Sequence, residues 1–424
     1  MTAAGSALRR TFSSLRIRNY RLYFIGQIVS VSGTWMQRVA QSWLVLELTG
    51  SGTAIGLVTA LQFLPILLLA PQGGVIADRW DKRRLLLVTQ TVAGALAATL
   101  GVLVVTDVVR LWMVYVLAAA LGLVNSVDNP ARQTFVIEMV GRETVTNAVS
   151  LYSVLVNVAR VFGPAAAGAL IVATGIGICF LINSATYLAV IIALLLMRAS
   201  ELTRAPVQPR RRGQFGEGLR YVRSSPPVLI PLLMMGIVGT FAYEYQVVLP
   251  LFAKFTFGGD AATFAAMTAW SGAGAVVGGL FTAGRRSRTG ATLAWTAIVF
   301  GTVQLATSMA PTLTVALTSF VVLGAASISF LALGNATLQL NSTPEMRGRV
   351  MGLWAVGFLG STAVGGPIMG WIGEHVGPRI ALGAGGILTL LTGVLAFRRL
   401  TAIDHDAEEQ VEVGTSAPTA KLGP

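Results

Sequence analysis

Apolar runs about as long as a bilayer is thick recur along nearly the whole chain, near 20–47, 53–77, 85–106, 110–130, 146–172, 177–197, 228–254, 261–284, 290–310, 312–338, 349–373 and 378–398. A helix needs about 20 apolar residues to cross a membrane, so the chain is expected to be an all-α membrane protein of twelve transmembrane helices. Only 12% of its 424 residues are charged, about half the share of a soluble domain.

The net charge of +13 could point to nucleic acid, but its distribution argues against that. Of the 31 lysines and arginines, 26 fall in every second loop or at the chain ends, all but Arg38, Arg110, Arg160, Lys254 and Arg379. That is the positive-inside pattern, and it predicts an inner, cytoplasmic membrane protein with both termini in the cytoplasm. Cys179 lies alone in an apolar run, and His375 and His405 lie in a loop and the tail. No disulfide, metal site, HExxH motif or catalytic triad can be assembled from these. None of the three lysines follows a glycine, so no phosphate-binding loop is present. Neither an enzyme nor a cofactor is expected. Residues 1–19 are basic and only mildly apolar, which does not read as a cleavable leader.

The two halves repeat. Gly33-Thr34-Trp35 returns as Gly239-Thr240-Phe241, Gly73-Gly74 as Gly278-Gly279, and Asn129 with Gln133 as Asn335 with Gln339. Glu138-Met139 with Gly141-Arg142 returns as Glu345-Met346 with Gly348-Arg349, and Gly163-Pro164 as Gly366-Pro367. The offset stays between 203 and 207 throughout. Such order implies duplication, giving two pseudo-symmetric six-helix bundles at 20–197 and 228–400. The segment 1–19 precedes them. A cytoplasmic linker, 198–227, joins them and carries Arg204, Pro206, Pro209, Arg210, Arg211, Arg212, Arg220 and Arg223. The polar, acidic residues 401–424 read as a disordered cytoplasmic tail.

After the second span the chain reads Gly74-Val-Ile-Ala-Asp78-Arg79-Trp80-Asp81-Lys82-Arg83-Arg84. This resembles the signature loop of the major facilitator superfamily, with Asp81 where a second glycine is usual. The resemblance implies that Gly74 packs the second helix on the eleventh. It also implies that Asp78 faces the start of the eleventh near 348–350, where a carboxylate suits a positive helix end, with Arg132 as its candidate partner. Arg83 and Arg84 read as topology signals. Arg160-Val-Phe-Gly163-Pro164-Ala-Ala-Ala-Gly168 resembles the glycine–proline motif in the fifth helix of antiporter members, although the arginine motif of many drug–proton antiporters is missing from the fourth. Asp128-Asn129-Pro130-Ala131-Arg132-Gln133 with Gly141-Arg142-Glu143 and Asn147, and Pro344-Glu345-Met346-Arg347-Gly348-Arg349-Val350, are similar to a branch containing macrolide-efflux-like and enterobactin-exporter-like members.

Ionisable groups inside the membrane are costly and mark functional sites. Arg38, Arg160, Asp128 and Glu244 are the candidates for gating and proton coupling. Arg38 and Glu244 are separated by the repeat offset of 206 and have opposite charge. They are expected to pair across the halves when the cavity opens inward, with Glu244 taking up protons. Arg38 reaching an interface, or Glu244 facing a wet cavity, are the plainer alternatives. Arg160 is expected to meet an anionic substrate, a carboxylate such as Asp128, or a carbonyl freed by Pro164. In the superfamily the first, fourth, seventh and tenth helices line the cavity. That makes Gln37, Gln41, Tyr243, Tyr245, Gln246 and Asn335 candidate substrate contacts. The expected function is proton-coupled efflux of a drug-like or siderophore-like molecule by a monomer working by alternating access. An importer and a non-transporting sensor or assembly protein are the alternatives.

Overall fold

A computed structural model describes residues 11–203, 214–283 and 290–416. Arg204, Pro206, Pro209 and Arg210 to Arg212 of the linker, and residues 1–10, 284–289 and 417–424, lie outside them. The long helices are α1 (Arg18–Thr49), α2 (Gly52–Arg79), α3 (Lys82–Val105), α4 (111–140), α5 (142–174), α6 (Ile176–Leu196), α7 (Pro226–Thr256), α8 (Ala261–Ala283), α9 (Gly290–Ser308), α10 (Leu313–Leu340), α11 (Pro344–His375) and α12 (Pro378–Ser416). A short linker helix covers Gln214–Ser224. Ten helical runs among the described residues are long and apolar enough to cross a membrane. One of them, Leu111–Thr174, holds both α4 and α5. The 32 residues of α1 suffice in length, but α1 is too polar to meet the same criterion.

Side-chain caps set several boundaries. Gly50 closes α1 with φ 66°, and the Ser51 hydroxyl then accepts from the Ala54 amide to start α2. Asp81, in the place of the usual glycine, accepts from the Arg84 amide and starts α3. Each satisfies an amide that a helix start leaves without a partner.

Three predicted boundaries are corrected. The loop expected at 131–145 is helix, broken only at Gly141, whose φ of 73° strains any residue with a Cβ. Its repeat counterpart Gly348 lies inside α11, so the repeat is imperfect here. α7 is interrupted by non-helical residues at 243–244, and the hydrogen-bond ladder of α11 breaks at Gly360 and Ser361, whose backbone angles stay α-helical. Beyond residue 400, α12 continues to Ser416 where a disordered tail was expected. Asp404 accepts from the Gly290 and Ala291 amides at the start of α9, a favourable place for a carboxylate.

The halves meet along α2 with α11 and α5 with α8. The core is not evenly shared between the two ends. At the end carrying the short loops 50–51, 175 and 376–377, one apolar cluster unites both halves, from Met36, Leu46 and Ile55 to Val247, Phe252 and Met369. At the basic end it divides: Tyr20, Leu86 and Phe135 pack within the first half, and Val222, Val228 and Val350 within the second. The halves are therefore joined at one end and separate at the other.

Candidate substrate cavity and gate

Glycine makes the closed end possible. A methyl group on Gly56 would stand 2.3 Å from the Gly366 carbonyl oxygen, and one on Gly370 2.2 Å from that of Gly52. Contact this close needs residues without side chains. Above it, Glu374 at the end of α11 accepts from the Ser51 hydroxyl at 2.6 Å, the Thr53 hydroxyl at 2.7 Å and the Thr53 amide at 3.0 Å. One carboxylate thus ties the second half to the start of α2 in the first. The tight glycine packing of α2 on α11 runs through Gly52 and Gly56. Gly74 is buried, and its neighbour Gly73 faces the Ser126 carbonyl on α4.

At the basic end the signature residues serve the first half. Lys82 is buried in an ion pair with Glu138 at 2.7 Å. Arg83 donates to the Leu194 and Leu195 carbonyls at the end of α6, which goes beyond a topology signal. Arg79 is exposed at the end of α2. Arg132, the expected partner of Asp78, instead pairs with Asp128 one turn before it. It also donates to Gln27 and Tyr152. Thr89 and Gln90 fill the other Asp128 oxygen. The first arm of α11, which contains 348–350, packs mainly on α7 and the linker helix rather than on α2, and Arg349 pairs with Glu217 there at 2.9 Å.

Two cavities adjoin near the middle. One, of about 340 Å³, lies in the first half and includes Gln37, Gln62, Asn125, Asp128 and Arg132 in its wall. The other, of about 180 Å³, lies between the halves, with Arg160, Tyr243, Tyr245, Gln246, Phe264 and Phe358 in its wall. Trp35 and Arg38 line both. The motif on α5 explains how Arg160 arrives there. A methyl group on Gly163 would stand 2.5 Å from the Trp35 Cβ, and one on Gly168 2.8 Å from the Ala265 Cβ. Buried Pro164 lies between them, so α5 is pressed on both α1 and α8. Arg160, one turn earlier, then reaches the Trp35 ring, with Cζ 5.0 Å from its centroid and that of Arg38 at 4.7 Å.

The expected pair between Arg38 and Glu244 is not formed among the described residues, although the end it was to close is closed. Glu244 sits at the break in α7 and turns to the break in α11. Its polar neighbour there is Thr362, and a methyl group on Gly365 would stand 3.1 Å from Oε1. The Oε1 atom is buried with no hydrogen-bond partner among the described residues. Arg160 meets neither Asp128, already engaged, nor a carbonyl near Pro164, and its Nε is likewise buried and unpartnered.

Of the six cavity candidates, Tyr243, Tyr245 and Gln246 line the central cavity. Gln37 accepts from Asn183 at the edge of the first-half cavity. Gln41 accepts from Gln62 and lines a small recess beside it. Asn335 is in neither wall. Sequence reasoning missed Trp35, Phe264 and Phe358 as cavity residues. Trp35 carried a signal, since it stands in the Gly-Thr-aromatic repeat; the two phenylalanines look like any other apolar residue.

Comparison with known proteins agrees with this architecture. A family model described as transmembrane secretion effector matches residues 9–420. The enterobactin exporter EntS of Escherichia coli K12 is 24% identical over 94% of this chain and 95% of its own. The MFS-type transporter YfiS of Bacillus subtilis is 28% identical over 82% of this chain and 86% of its own. The staphyloferrin A transporter of Staphylococcus aureus is 25% identical over 58% of this chain, a match spanning 62% of that protein's length. Among solved structures, an inward-facing bacterial homologue of the lysosomal transporter Spinster superposes with TM-score 0.72 at 16% identity, covering 91% of this chain and 98% of its own. A bacterial homologue of ferroportin does so with TM-score 0.67 at 14% identity, covering 90% and 99%. With a family model spanning nearly the whole chain and this fold beneath it, the protein is a multi-pass membrane transporter of the transmembrane secretion effector family within the major facilitator superfamily.

Proposed function

We propose that the protein exports a siderophore-like or drug-like small molecule across the inner membrane, as a proton-coupled antiporter working by alternating access. The observation that carries this reading is a polar and aromatic cavity between two halves that are fused at one end and parted at the other. Loop charge supports placing the basic end and both termini in the cytoplasm, which makes this an outward-closed, inward-open state and counts α1 among twelve crossings. Opening outward requires the glycine contacts between α2 and α11 and the Glu374 bonds to break. It also brings the basic ends together, where Asp78 can meet the start of α11. The names of the enterobactin exporter and the staphyloferrin A transporter favour a siderophore-like cargo. The molecule is taken to act as a monomer.

Glu244 is the proposed proton carrier. It lies where two discontinuous helices face each other, the usual setting of a coupling-ion site. The residues turned to it from α11 are Thr362, Gly365 and Gly366, none of them charged. Entry of one proton down 100 mV releases about 2.3 kcal/mol. The test is uptake into everted vesicles containing the full-length protein. Proton-driven accumulation of siderophores or drugs, lost in Glu244→Gln, is expected. Accumulation only in right-side-out vesicles would establish import, and gradient-independent exchange by wild type would remove proton coupling.

A further inference from the structure

We infer that the cargo is an aromatic or apolar-bodied polyanion whose acidic groups are received by Arg38 and Arg160 on either hand of Trp35. This rests on the transport reading above and narrows its cargo. Two guanidinium groups share one indole ring within 5.0 Å of its centroid. Among the described residues, no aspartate or glutamate lines the cavity between the halves. Asp128 is committed to Arg132, Thr89 and Gln90, and Glu244 is turned to Thr362 and Gly365 on α11.

An aromatic ring face attracts a cation but leaves its charge uncompensated. Guanidinium is protonated at any physiological pH, so these two positive charges persist within the spanning region, where an uncompensated charge is costly. The buried Nε of Arg160 has no acceptor, and buried donors are rarely left so. A ligand carboxylate or similar acidic oxygen pair supplies what is missing, since the guanidinium fork matches it bidentately. The remaining wall, formed by Tyr243, Tyr245, Phe264 and Phe358, suits a flat or apolar body. A lipophilic cation, the usual cargo of many drug exporters, meets like charge here instead.

Full-length protein in lipid nanodiscs is titrated calorimetrically with three probes: trimesate, which carries three carboxylates on a benzene ring, its neutral trimethyl ester, and tetraphenylphosphonium. Trimesate is expected to bind at least about tenfold tighter than the ester. Arg38→Gln and Arg160→Gln should each weaken trimesate about tenfold or more and weaken the ester less than trimesate. Arg38→Lys and Arg160→Lys, which keep the charge and lose the fork, should fall between. The proposal is overturned if trimesate fails to bind at millimolar concentration, if the ester or tetraphenylphosphonium binds wild type as tightly, or if folded Lys and Gln variants bind trimesate like wild type. The comparison of probes on wild type needs no variant to fold. Binding in nanodiscs involves neither direction nor gradient, so its failure leaves export open, and failure of export in vesicles leaves the binding result standing.

Discussion

Asp128 and Arg132 show how much a single position depends on its partners. The two lie one turn apart on α4, with Asp128 1% exposed. Removing one member of a buried pair leaves the other uncompensated, at a cost of about 3–5 kcal/mol, whereas replacing both with apolar residues is often neutral. Asp128→Asn is therefore expected to lower the thermal midpoint sharply, and Asp128→Leu combined with Arg132→Met to recover most of it. Equal loss in single and double variants would mean that the pair is not the source. Asp260, in the loop before α8, is a simpler case. Its carboxylate accepts from the Thr263 amide at 2.9 Å and from the Thr263 hydroxyl at 2.9 Å. The bond from the Thr263 amide holds its carboxyl below the ordinary carboxylate range, against a small desolvation. A depressed folded value stabilises the protein above the unfolded pKa and is lost as pH falls through the folded one. Asp260→Ala should cost about 1 kcal/mol at neutral pH, and the gap from wild type should close below about pH 4. Unfolding curves at both pH values decide this.

Among the elements, the two broken helices of the second half set it apart from the first. The counterpart of α7 is α1, which runs unbroken from Arg18 to Thr49, so the repeat conserves helix order but not helix continuity. The break at 243–244 contains no glycine or proline, and nothing local in Tyr243-Glu244-Tyr245 announces it. Pro250, farther on in the same helix, removes one hydrogen-bond donor and crowds the preceding turn, which loosens this arm without naming the residue that yields. The contact of α2 on α11 makes a clearer prediction. Gly56→Val places two methyl groups where even a Cβ would lie 2.3 Å from the Gly366 carbonyl oxygen. The closed end should then fail to shut and transport should fall at least about tenfold, since no relaxed packing accommodates the side chain. Glu374→Gln keeps the shape but weakens three bonds to α2. Each such bond contributes about 0.5–3 kcal/mol, so the balance of states should move toward opening at this end. Spin-label distances across the two ends report both changes. Unchanged distances in both variants would show that this contact does not hold the gate.

For the whole molecule, the alternation of strongly basic loops with nearly uncharged ones predicts sidedness. With buried Cys179 replaced by alanine, single cysteines at the exposed positions Arg84 and Arg223 should react with an impermeant maleimide only from the cytoplasmic face. A cysteine at exposed Asp107 should react only from outside. Labelling of Arg84→Cys and Arg223→Cys from different faces would end the two-bundle topology. Much of this level was legible beforehand. Hydropathy alone reports where helices lie, because in lipid every backbone polar group must be satisfied within a helix. Duplication was read from offsets that stay between 203 and 207, and charge bias predicts orientation because loop translocation depends on it. Less of the site could be read. Arg38, Arg160, Tyr243, Tyr245 and Gln246 were found as polar or aromatic residues inside apolar runs. Their partners were not, since pairing depends on how helices rotate about their own axes, and these helices are too uniformly apolar for the sequence to report rotation.

The linear order of residues was enough for the class of fold, the duplication, the family resemblance and the short roll of charges in the membrane. Each of these follows from composition along one dimension, where transfer free energies simply accumulate. Which end closes, that Arg132 takes Asp128 and Arg83 the carbonyls of α6, and that Arg38 and Arg160 share Trp35 while Glu244 turns to Gly365 were set by packing in three dimensions. Those outcomes depend on glycines letting particular backbones approach within contact distance, and on which of several nearby partners a buried charge then reaches first.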